Sequence, residues 1–222
     1  MRSPRSTLTA VLATLVVSGL LVGGAFASSK QSSMRSSGSM TKSTMTAESV
    51  RVALDNLFAE HAVLAMNATN AGVTGSKSFP AAARALDRNS VALSKAIASV
   101  YGAKAGNTFL NGKNMWRAHI KDFVAYTVAT AKHDKGAQRK AVAKLKQYTI
   151  TFGRFLSTAT GLPKPAVQND LLGHVLELKG QLDAYAAGKY KKAATEYHAA
   201  YNHMFMTADL VAGAIAKQKH LK

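Results

Sequence analysis

The chain has 222 residues, with 29 Lys or Arg against 11 Asp or Glu, a formal charge of +18, and no cysteine. Disulfides, thiolate metal sites and a lipid carried on a processed N-terminal Cys are thereby excluded, and so few acids leave little for paired-carboxylate chemistry. A positive excess of this size attracts polyanions at low salt.

Residues 1–27 read as an export signal. Arg2 and Arg5 form a positive start, Leu8 to Phe26 is apolar and small, and Ala25-Phe-Ala27 is a small-x-small cleavage pattern before Ser28. No stop-transfer pattern follows. The expectation is a secreted or cell-envelope protein of a bacterium, with a retained anchor as the alternative. Residues 28–46 hold eight Ser, three Thr, three Met and three basic residues, without an acid, aromatic or branched aliphatic. Such a segment buries too little to offset its chain entropy and is expected to be a disordered cationic leader.

Residues 47–222 read as one all-helical domain. Alanine is abundant, proline falls only at 80, 163 and 165, and no stretch alternates as a strand would. Breaks fall at Gly72–Pro80, Tyr101-Gly102, His133–Gly136, Thr160–Pro165 and Ala187-Gly188. They divide the domain into six helices, taken as three consecutive hairpins in an all-α bundle. A loose repeat supports this: His61, His119 and His174 lie 58 and 55 residues apart, each in the first helix of its hairpin.

Two stretches carry a resemblance. Tyr101-Gly-Ala-Lys-Ala-Gly-Asn107, then His119-Ile120, and the closing Tyr197-His-Ala-Ala-Tyr-Asn-His-Met-Phe-Met-Thr-Ala-Asp-Leu-Val-Ala-Gly-Ala-Ile215 resemble a family of all-helical bacterial, mostly Gram-positive, proteins. That family has YYGxxAGN, a helix with HI, and a terminal VHNHIxxMSDxLxxGI block. Val100 replaces the first tyrosine here, and Tyr201 precedes Asn202-His203. The family has no assigned biochemical role, so the resemblance implies helices and no functional residue.

The candidate site is built from histidine and methionine. At 100° per residue, His198, Asn202, Met206, His203 and Asp209 occupy roughly one face of the last helix, with Met204 opposite. Met115 is four residues from His119, and His174 three from Glu177. Imidazole with thioether suits copper, and imidazole with carboxylate suits zinc, iron or manganese. The expected metal ligands are therefore His61, His119, His174, His198, His203 and Met206, with Met115 in a second tier, and copper is preferred over zinc. Met34, Met40 and Met45 would be accessible, weak Cu(I) ligands. His133 and His220 lie among lysines and are given no role.

The competing expectation is a cationic interaction module with structural histidines, docking on anionic envelope polymer, lipid or a partner protein. Bases occur mostly singly, apart from short runs such as Lys189-Tyr-Lys-Lys192, and lack aromatics interleaved so as to stack bases, so specific nucleic-acid binding is not expected. Nor is catalysis: there is no P-loop, G-x-G-x-x-G, G-x-S-x-G or H-E-x-x-H. After the signal only Glu48, Glu60, Glu177 and Glu196 remain as glutamates, too few for a ferritin-like di-iron site.

Overall fold

A computed structural model describes residues 45–222. The expected export signal and nearly all of the expected cationic leader, with Met34 and Met40, lie outside the described residues. The described chain is all-α: α1 (Ala47–Val73), α2 (Phe79–Tyr101), α3 (Ala103–Asn111), α4 (Trp116–Ala131), α5 (Lys135–Thr160), α6 (Lys164–Ala186) and α7 (Tyr190–Lys219). Among the described residues no helix is long and apolar enough to cross a membrane.

Local chemistry sets these boundaries. Thr46 caps α1 through its hydroxyl and the Ser49 amide, and Ser49 answers reciprocally. Asp134 accepts from the Ala137 amide to open α5, and Gly161 closes it with φ +75°. Prolines stand in the first turns of α2 and α6, where a missing N–H costs nothing.

Three hairpins are present: α1 with α2, α4 with α5, and α6 with α7. The last helix returns to lie along α1, and α1 also touches α4 and α6. This places α1 at the centre, with the first helices of all three hairpins in mutual contact.

One expectation is corrected. The sequence reading runs a single helix from Gly102 to His133, whereas the structure breaks it between Asn111 and Trp116. Asn114 adopts φ +56°, a left-handed conformation that asparagine tolerates better than most residues. The break adds a short seventh helix and starts α4 at Trp116. That indole turns inward, 3 % exposed, and stacks on Phe109 at 5.0 Å between ring centroids.

A second correction concerns α7. Its buried residues are Ala193, Ala200, Met204, Thr207, Ala208, Val211, Ala212 and Ile215. Met204, expected to point away, is core, while His198, Asn202, Met206 and Asp209 face solvent. Two neighbours, α1 and α6, press on α7, and the small and apolar residues follow that broad seam. His203 stands at its edge.

Candidate metal centre

His61, His119 and His174 each take a core position in their helix. The buried stripe of α1 runs Phe58, His61, Ala65, Ala68; that of α4 runs Trp116, His119, Phe123, Tyr126; that of α6 runs Leu171, His174, Leu178, Gln181. Spacing of three and four keeps each imidazole on the face its helix presents to the others. The rings are 2 %, 7 % and 7 % exposed.

Because α1, α4 and α6 touch, the rings meet. His61 lies 5.6 Å from His119 and 6.2 Å from His174, between centroids. All three line one cavity of about 20 Å³, whose other walls are Ala65, Ala68, Leu86, Phe123, Val175, Leu178 and similar residues. That is room for about one water-sized sphere. Trp116 packs at 4.8 Å against both His61 and His119, and Tyr148 stacks on His119 at 4.4 Å.

The polar atoms of this cluster are poorly matched. Among the described residues, His61 Nδ1, His119 Nδ1 and both ring nitrogens of His174 are buried without a hydrogen-bond partner, as is the amide oxygen of Asn89 nearby. A neutral imidazole brings one donor and one acceptor, and a buried polar atom without a partner costs about 1–3 kcal/mol. Protonation is no remedy. Burial, reinforced by the neighbouring His119, pushes His61 down to about 3. Burial and His174 do the same to His119, and burial, His61 and His203 hold His174 well below the usual range. All three stay neutral near pH 7.

His203 is different in kind. Its Nδ1 lies 2.9 Å from Glu177 Oε2 and its Nε2 3.2 Å from Asp170 Oδ1. The Thr207 hydroxyl donates to the other Asp170 oxygen at 2.9 Å. The hydrogen bond to Asp170, with further help from Glu177 and against partial burial, raises His203 to about 9. It is an imidazolium with both nitrogens engaged. Its ring nevertheless touches the cluster, edge to face with His174 at 6.0 Å.

The expected ligands thus divide. The structure brings together His61, His119 and His174, with His203 attached at the rim through carboxylates. His198 is exposed and paired with Asn202 on its own helix, at 3.2 Å. Met206 is 63 % exposed. Met115 is buried, but against Gly112 rather than in the histidine cavity. Among the described residues no group of three or more His, Cys, Asp or Glu is already arranged to hold a metal ion. Trp116, Tyr148, Asn89 and Asp170 went unread in the sequence; only the placement of Asp170 four residues before His174 and seven before Glu177 hinted at a shared helix face. Comparison with protein-family models, with curated proteins and with solved structures gives no match, so the family resemblance gains no support from it.

Proposed function

We propose that this is an exported, non-catalytic helical bundle that holds one transition-metal ion, copper by preference, at His61, His119 and His174. The observation that carries the reading is the set of four partnerless nitrogens on three neutral, buried imidazoles around one small cavity. Neutral imidazole is the form that ligates metals, and three such ligands suit copper or zinc with one position left open. With nitrogens about 2.1 Å from a metal, three imidazole centroids stand roughly 5–6 Å apart, close to the 5.6 and 6.2 Å spacings from His61. Turning the rings about χ2 is the adjustment that loading demands.

The test is metal content. The purified chain, dialysed against micromolar copper or zinc and then freed of loose metal, is expected to retain about one equivalent. Replacing His61, His119 or His174 by Ala should abolish retention, whereas His198→Ala and Met206→Ala should leave it intact. Retention well below one equivalent of either metal overturns the reading. The cationic surface would then be the feature to pursue, through salt-sensitive retention on anionic matrices.

A further inference from the structure

Resting on that reading, we infer that the site takes copper as the monovalent ion, and that Trp116 is the residue that sets this selectivity by lying against the metal.

The surroundings of the cluster argue for low charge. Among the described residues no carboxylate lines the histidine cavity; its walls are the three imidazoles, Thr69 and aliphatic or aromatic carbon. Asp170 and Glu177, beside it, already face His203. Bringing an ion into such a medium costs a desolvation energy that grows with the square of its charge, so a divalent cation meets about four times the penalty of a monovalent one. Zn²⁺ and Cu²⁺ in three neutral imidazoles would keep two uncompensated charges there. Cu⁺ keeps one, and it accepts a low coordination number of soft or borderline donors.

The indole offers what the missing carboxylate does not. Trp116 lies 4.8 Å from His61 and 4.8 Å from His119, which are themselves 5.6 Å apart. Its centroid is therefore roughly 4 Å from the midpoint between the two imidazoles, just behind the lining of the cavity, and an ion held at that His61–His119 side falls within the ~6 Å reach of a cation–π contact. The ring is also held fast. Phe109 stacks on it, Phe58 and Phe152 pack at 5.9 and 5.7 Å, and its Nε1 donates to the fully buried Ser90 hydroxyl at 3.2 Å. A fixed π-system beside a buried tri-histidine cluster stabilises one positive charge and leaves a second unmatched.

Trp116 is the one tryptophan of the chain, so its emission reports on this place alone. The full-length metal-free protein is titrated under argon with Cu(I) held by a competing chelator, and separately with Zn(II), following emission and stoichiometry. Expected are one equivalent of Cu(I), at least a twofold loss of emission, and Zn(II) binding at least 100-fold weaker. Trp116→Phe should keep the stoichiometry, weaken Cu(I) about tenfold and leave Zn(II) unchanged. Cu(I) binding within twofold of wild type in that variant, unmoved emission in the loaded wild type, or Zn(II) binding as tight as Cu(I) would each overturn the inference while leaving the metal site standing. Failure of the wild type to bind either ion removes the metal site itself. Should Trp116→Phe not fold by circular dichroism, the wild-type emission and the Cu(I)/Zn(II) ratio decide alone.

Discussion

Gly173 lies beneath the ring of His203: a Cβ built on the glycine would stand 2.9 Å from His203 Cε1. Side chains on α6 at 170 and 177 flank that gap and grip the ring from both sides, so the ring cannot retreat without loosening an ion pair. Alanine ordinarily stabilises a helix interior by about 1 kcal/mol over glycine. At this position the clash should outweigh that gain. Gly173→Ala is expected to lower stability by about 1 kcal/mol in urea denaturation. A rise in the midpoint would mean that His203 moves aside freely.

His203 should also leave a mark on the pH dependence of stability. Its folded pKa, near 9, is above the usual histidine value of 6.5, so the folded state binds the extra proton. The linked stabilisation is full below pH 6.5 and is lost as pH rises through 9. Allowing for solvent around the partly exposed carboxylates, it amounts to about 1–2 kcal/mol. Wild type minus His203→Gln, measured by denaturant midpoints from pH 6 to 10, should therefore shrink as pH rises. A constant difference would assign His203 to packing alone.

The contrast between these histidines explains what the sequence could disclose. Helical periodicity sufficed to place His61, His119 and His174 on the first helices of three hairpins. Their convergence rests on α1 touching both α4 and α6, tertiary contacts that periodicity does not disclose. The face of α7 was not legible either. Counting 100° steps groups His198, Met206 and His203 correctly, but which arc is buried depends on two neighbours pressing at once, and Met204 and Thr207 won that seam. The break before Trp116 does carry a turn signal, Asn111-Gly112, but one that the helical spacing on either side of it outweighed. With it went the indole that packs against His61 and His119. Partners more than 25 residues away, such as Asp170 and Glu177 for His203, come from packing and leave no local trace.

Acid should attack the cluster with the opposite sign. His61 and His119 sit at about 3 and His174 well below 6.5, so unfolding releases imidazoles that take up protons. Their contribution is fully present above pH 6.5 and is lost as pH falls toward 3. With three such groups the slope approaches roughly 4 kcal/mol per pH unit at its steepest, the unfolded chain binding about three protons more. Denaturant midpoints between pH 7 and 4 should fall steeply, and His119→Phe should flatten the curve by about one proton. An unchanged slope in that variant would show that His119 is protonated in the folded protein.

The sharpest separation of a binding site from an ordinary core comes at His174, which is 7 % exposed and has no partner at either nitrogen. If the imidazole served packing alone, its replacement would lose contacts and the protein would weaken. If it is kept for a ligand, the metal-free protein carries an unmet polar cost that an apolar residue of similar size removes. His174→Leu is therefore expected to raise the stability of chelator-treated protein at pH 7 by about 1–2 kcal/mol. It should also abolish the stabilisation that metal confers on wild type, about 2.7 kcal/mol at a free concentration 100 times Kd. Two urea titrations of each protein, with chelator and with copper, measure both effects. A less stable metal-free variant would make His174 a structural residue, satisfied by contacts other than a metal.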